Sequence, residues 1–312
     1  MSFATVLTAT LPVYLTMLVG ALARWVRLLP READDGIMKL SVHLLFPCLA
    51  FERIVNNDAL DNPQQVLLAG TLGYALIAFS ILFCHALAPV IGLKRGQGAR
   101  TFGLSAGLQN YGYVAIPVVE ALFHDKNLIG VLFTFTIGVE LAMWTIGVGL
   151  LTGLNKAPWR HAINTPVITI LLSLGLHYAG AGPHVPKILH EMLGNLGACT
   201  IPLSVLLIGA SIFDLIGTER IRWNVALASP VLRLGVLPFV FLLAARWLPL
   251  SDDVKKIICV QSAMPSAVFT IFVARHYGGH PATAVLVVLS TTIVSLITAP
   301  FMIGFAMRFL GL

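Results

Sequence analysis

The sequence predicts an all-α integral membrane protein of ten transmembrane helices, arranged as two inverted five-helix repeats whose broken helices 4 and 9 cross. Three observations carry that prediction: too little charge for a water-facing shell, apolar runs of membrane-spanning length, and two matched interruptions of those runs. Of the 312 residues, 57% are hydrophobic and only 11% charged, against roughly a quarter charged in an average soluble domain. The charges gather between apolar stretches of about twenty residues, the length that crosses a ~30 Å hydrocarbon layer.

Numbered as spans 1 to 10, the apolar stretches lie near residues 4–24, 36–54, 66–91, 99–122, 127–153, 165–182, 190–216, 224–249, 254–277 and 283–309. Span 6 is the shortest and runs into a turn at Gly180, Gly182 and Pro183. Span 1 has neither a basic leader nor a small-residue cleavage site, so it is expected to remain in the mature chain. The net charge of +6 does not indicate nucleic acid, because no Lys/Arg run with interleaved aromatics exists. Threading the ten spans puts Arg24, Arg27, Arg31, Lys39, Lys94, Arg95, Arg100, Lys156, Arg160, Arg220, Arg222 and Arg275 on one side of the membrane. Arg53, Lys126, Lys187, Arg246, Lys255, Lys256 and Arg308 fall on the other. The positive-inside rule then predicts both termini on the non-cytoplasmic side of a bacterial cytoplasmic membrane. Cys48, Cys84, Cys199 and Cys259 are far apart, each in an apolar run, and lack the paired spacing of a zinc or disulfide framework.

Residues 154–164 are the most polar stretch near the middle and read as a short cytoplasmic linker between a first half, 1–153, and a second, 165–312. Halves with an odd number of helices enter the membrane from opposite sides, so any similarity between them implies an inverted repeat, common among secondary transporters. Pro12 pairs with Pro166, Pro47 with Pro202, Gln109 with Gln261 and His124 with His276 at a nearly constant offset.

Span 4 carries Gly107-Leu-Gln-Asn-Tyr-Gly-Tyr-Val-Ala-Ile-Pro117 where an uninterrupted apolar helix would be cheapest. Pro117 lacks an N–H, and Gly112 tolerates dihedrals closed to other residues. Such a break survives only inside protein or beside water, since lipid satisfies no backbone groups. Span 9 repeats the arrangement with Cys259-Val-Gln-Ser-Ala-Met-Pro265-Ser. Two unwound segments at the midplane would present half-helix N-termini beside Gln109, Asn110, Tyr111, Gln261 and Ser262, with Gly112, Pro117 and Pro265 as crossover or hinge positions; such a site suits a small anion. The plain alternative is that Pro and Gly merely kink membrane helices.

Glu140 in span 5 and Arg233 in span 8 are charges at a depth that costs about 2.5 to 3.5 kcal/mol on insertion scales unless paired or wet. They are read either as a structural ion pair or as functional groups, Glu140 holding a coupling proton and Arg233 an anionic substrate. Glu120 reads as a helix-end residue. His43, His85 and His177 are isolated and read as hydrogen-bonded packing residues, and His124 and His276 as interfacial. Nothing resembles a GxSxG elbow, HExxH or a Walker loop, so no enzyme, cofactor or metal site is expected.

At these residues the sequence resembles the auxin efflux carrier family, which includes bacterial transporters and the plant auxin carriers. The first broken helix of that family is matched by Asn110-Tyr-Gly112-Tyr113-Val-Ala-Ile-Pro117 and the second by Gln261-Ser-Ala-Met-Pro265-Ser266, followed by His276-Tyr277-Gly278. Trp144-Thr145-Ile-Gly147, Arg233-Leu-x-x-x-Pro238, and Leu289-Ser290-Thr291-Thr292 leading to Thr298-Ala-Pro300 are further similar pieces. The resemblance implies a secondary active carrier of a small organic anion, a mono- or dicarboxylate or an auxin-like molecule. It also implies an elevator mechanism, with a scaffold from spans 1, 2, 6 and 7, a moving domain from spans 3–5 and 8–10, and a homodimer formed through the scaffold. The long hydrophilic loop of many plant members has no counterpart in residues 154–164. The related sodium-coupled bile acid symporters carry an acidic residue near the second crossover where this chain has Gln261, which disfavours sodium and leaves proton or potential coupling. A sodium-coupled carrier of that kind, and a channel or ligand sensor on the same scaffold, are the alternatives.

Overall fold

The computed structural model describes residues 3–94, 96–153, 163–216 and 221–312. Every element among them is helical. Residues 154–162 of the expected linker, and with them Lys156 and Arg160, lie outside the described residues, as do Arg95 and Arg220.

The first half opens with α1 (Phe3–Trp25), then α2 (Glu32–Leu40), which runs through a π-helical stretch at Ser41–Leu45 into α3 (Phe46–Ile54). Next comes α4 (Pro63–Leu87), whose first turn is capped by the Asn62 side chain accepting from the Gln64 and Gln65 N–H groups. Span 4 is indeed two helices, α5 (Ala99–Gly107) and α6 (Ala115–Phe123), and span 5 is α7 (Asn127–Ala142), a π-helical stretch Met143–Gly147, and α8 (Val148–Thr152). The second half begins with α9 (Thr165–Tyr178), capped by Asn164, followed by α10 (Lys187–Ala198) and α11 (Thr200–Leu215). Span 8 is α12 (Trp223–Pro230), a π-helical stretch Val231–Val236 and α13 (Leu237–Trp247). Span 9 breaks into α14 (Asp252–Ala263) and α15 (Phe269–His276), and α16 (Pro281–Leu310) closes the chain.

Six of these segments are long and apolar enough to cross a bilayer: Val6–Trp25, Pro63–Leu87, Asn127–Thr152, Lys187–Leu215, Trp223–Trp247 and Pro281–Leu310. The other four predicted spans depart from continuous apolar helices for separate reasons. Spans 4 and 9 are broken, and span 2 begins earlier than expected, at Glu32, with Asp34 and Asp35 in its first turn. Span 6 stops at Tyr178, short of the expected 182, because Gly180 adopts φ 66°, a left-handed conformation that ends helices.

Close backbone approach organises two groups of helices. A Cβ on Gly138 of α7 would collide with the Gly70 carbonyl of α4, and one on Gly73 with the Phe135 carbonyl. In the second group, a Cβ on Gly20 of α1 would strike the Leu206 carbonyl of α11, and one on Gly209 the Met17 carbonyl. Small residues let helix backbones touch, which is how helices associate where lipid removes the hydrophobic drive between them. The end groups gather on two faces. Arg24 binds Asp34 and Asp214, and Arg31 also reaches Asp214 at 3.0 Å. At the opposite ends of their helices, Arg53 bridges to Glu120 at 2.7 Å and Glu52 meets His190 at 3.0 Å.

Candidate functional site

The two breaks meet. Asn110 N–H donates to the Pro265 carbonyl at 2.7 Å and Ala267 N–H to the Leu108 carbonyl at 3.0 Å, so Gln109 and Ser266 face each other as an isolated antiparallel β-bridge. A helix that unwinds frees N–H and C=O groups that hydrocarbon leaves unmet at several kcal/mol each. Here each break supplies partners for the other. Side chains extend the crossing: Gln109 Nε2 donates to Gln261 Oε1 at 3.2 Å, and Gln261 Nε2 donates to the Tyr111 carbonyl at 2.9 Å. Ser266 N–H, with no helix to join, donates to Thr291 Oγ1 of α16 at 3.2 Å.

Gly112 lies in the first unwound segment, and its carbonyl accepts the Ile116 N–H at 2.8 Å as α6 begins. Pro117 occupies the first turn of α6, where a missing N–H leaves no helix bond unmade. Pro265 lies in the second unwound segment and contributes its carbonyl to the bridge. Asn110 is 6% exposed. Its Oδ1 accepts from Val114 N–H, and its amide NH₂ has no partner among the described residues. The Gln109 Oε1 and Ser266 Oγ atoms are buried without a hydrogen-bond partner among the described residues. Ser262, also expected in the site, is fully buried, and its hydroxyl donates to the Cys259 carbonyl of its own helix at 2.8 Å. Two surface hollows lie elsewhere: one is lined by Leu234, Phe239, Thr298 and Phe301, the other includes Pro47, Phe51 and Leu172. Neither gathers the convergent amides that the crossing does.

Glu140 and Arg233, read from the sequence either as an ion pair or as separate functional groups, have separate hydrogen-bond partners. The Glu140 carboxylate accepts from Tyr111 OH at 2.5 Å, Trp144 Nε1 at 3.1 Å and Asn164 Nδ2 at 3.1 Å. Arg233 is fully buried in its π-helical stretch, where Nη2 donates to the Ser262 carbonyl at 3.4 Å and the guanidinium lies 5.3 Å from the Phe241 ring centre. It therefore places a cation at the C-terminal end of α14, where the helix dipole favours positive charge. Its Nε and Nη1 are without hydrogen-bond partners among the described residues. The two charges thus have separate partners: three neutral donors at Glu140, and one helix-end carbonyl and a phenyl ring at Arg233.

The isolated histidines are hydrogen-bonded: the exposed His43 to Thr165, His85 to the Ala99 carbonyl, and His177 to the Val55 carbonyl. Glu120 lies near the end of α6 and is paired with Arg53. Sequence reasoning missed Asn164 and Thr291 as partners of the buried network. The Asn-Thr-Pro start of α9 marks Asn164 as a helix cap, but nothing in that signature points to Glu140.

Comparison with known proteins gives the family. The family described as "Membrane transport protein" matches residues 5–155 and 150–303. An uncharacterized transporter of Methanocaldococcus jannaschii is 22% identical over 270 residues, covering 85% of this chain and 87% of the relative. Auxin efflux carrier component 8 of Arabidopsis thaliana is 23% identical over 341 residues, covering 88% of this chain and 90% of the relative. The chain belongs to this membrane transport protein family, that of the auxin efflux carriers, and is a multi-pass membrane transporter and not an enzyme.

Proposed function

We propose that the protein is a secondary active carrier of a small organic anion and that the crossing is its substrate site. The observation that carries this reading is the uncommitted amide of Asn110, which sits where two unwound segments meet at the start of α6. An amide NH₂ donates to a carboxylate oxygen without adding charge. The helix N-terminus adds a partial positive charge and free N–H groups. Gln109, Tyr111 and Gln261 shape the same place, and Arg233 supplies a buried positive field through the end of α14. Ser262 contributes its main chain more than its hydroxyl, because that hydroxyl is engaged within α14.

The six apolar spans, the two broken segments, the charged-ended α2–α3 segment and the short α9 together give ten passages, five in each half, and support the inverted repeat. In this reading α1–α3 and α9–α11 form the scaffold and the remaining helices move as one body, in an elevator mechanism driven by protons or by the membrane potential. The glycine seams between α1 and α11 and between α4 and α7 suit two rigid bodies. A homodimer through the scaffold and non-cytoplasmic termini in a bacterial inner membrane complete the proposal.

Purified protein in liposomes is expected to catalyse saturable uptake or exchange of at least one of malonate, succinate, lactate and indole-3-acetate under an imposed pH gradient or voltage. Absence of flux for the whole panel would remove the organic-anion reading. Conductance without saturation would indicate a channel, and binding without flux a sensor.

A further inference from the structure

The carboxylate of Glu140 gathers donors from three separate parts of the chain. Trp144 belongs to its own span, Tyr111 to the first unwound segment, and Asn164 to the start of α9. Asn164 has two roles at once, since its Oδ1 accepts from Val167 N–H at 3.1 Å and caps α9 while its Nδ2 holds Glu140. About 18 Å of helical rise separates Glu140 from the end of α8 at Thr152. The first turn of α9 therefore begins far along span 5 from its end, beside a buried carboxylate that a helix N-terminus favours electrostatically. This accounts for the brevity of α9: its 14 residues rise about 21 Å because the helix starts at depth.

From Glu140 the bonds continue inward. The Tyr111 hydroxyl donates to Glu140 and the Tyr111 carbonyl accepts from Gln261, which in turn accepts from Gln109. One continuous chain of hydrogen bonds thus joins the crossing to the cap of α9. We propose that Asn164 is a positioning residue for transport: it fixes Glu140, and through Tyr111 the first unwound segment, against α9, so that the carrier must break the Glu140–Asn164 bond to change state. This rests on the proposed division of the molecule, in which α9 belongs to the scaffold and α7 and the crossing to the moving body. A contact made in one of two states biases the equilibrium between them. The side chain of Asn164 spans both bodies.

Hydrogen–deuterium exchange of the full chain in lipid nanodiscs tests the proposal without needing a substrate. Asn164→Ser and Asn164→Asp both keep a good helix cap, but each removes the NH₂ donor, and the aspartate adds a second carboxylate facing Glu140. Asn164→Ser is expected to accelerate exchange in residues 108–114 and 140–147 at least fivefold and to leave α1 and α11 unchanged. Asn164→Asp is expected to accelerate it further, and adding Glu140→Gln to it to reverse the difference. A cap-only role predicts that both variants are silent, and that result overturns the proposal. Tyr111→Phe should accelerate residues 108–114 as well, with a double variant showing less than the product of the two effects. A full product would overturn transmission through Tyr111. Failure of every carboxylate in the liposome panel would sink the carrier reading alone, since the exchange result stands apart from flux.

Discussion

Glu140 and Arg233 are both charged groups buried within the helix bundle, 8% and 0% exposed respectively, yet their surroundings are opposite. Every donor around Glu140 is neutral, and three of them converge on two oxygens. Around Arg233 lie one long hydrogen bond and a phenyl ring, and its Nε and Nη1 have no partner among the described residues. A carboxylate with neutral donors is settled in its fold. A guanidinium with unmet donors carries a demand that its fold leaves open, and in the proposed function that demand is for an anion in the crossing.

The sharpest way to break the comparison is to remove each charge. Glu140→Leu strands three donors, each worth about 1–3 kcal/mol when left unsatisfied, so the protein should lose at least about 3 kcal/mol and show a large fall in the midpoint of thermal unfolding in detergent. Arg233→Met should do the reverse. A buried charge without a counter-ion among the described residues is itself costly, so removing it should let the unfolding midpoint hold or rise while uptake in liposomes falls at least tenfold. Equal loss of stability in both variants would erase the distinction. Tyr111→Phe removes one donor from Glu140 and should cost about 1 kcal/mol, read in the same unfolding assay. The smallest effect belongs to the Arg53–Glu120 pair, whose side chains are 16% and 31% exposed; Glu120→Gln should change stability by less than about 1 kcal/mol.

Much of the architecture was legible because it depends on sequence-local physics. Apolar length marks the spans, and the residues that break them, Gly107 through Pro117 and Cys259 through Ser266, announce themselves by type. The facing of Gln109 and Ser266 was not legible. Their pairing depends on how two helices are rotated and raised against each other, and no single helix encodes that. The partners of Glu140 and Arg233 were hidden for a related reason. Charge economy says that a buried ion needs a partner, but it does not exclude neutral partners, and Trp144 one turn from Glu140 was already available in the sequence. Asn164 was readable as a cap from its neighbours Thr165 and Pro166, whereas its second bond joins residues that only the folded chain brings together.

The bridge at the crossing has a consequence for how the protein is made. Leu108 and Asn110 find their main-chain partners in Ala267 and Pro265, and a ribosome adding roughly 5–20 residues per second reaches those positions on the order of ten seconds later. Through that interval the Leu108 carbonyl and the Asn110 N–H lack their final partners. Until the second half arrives, water, a transiently continuous helix or another protein has to meet those groups.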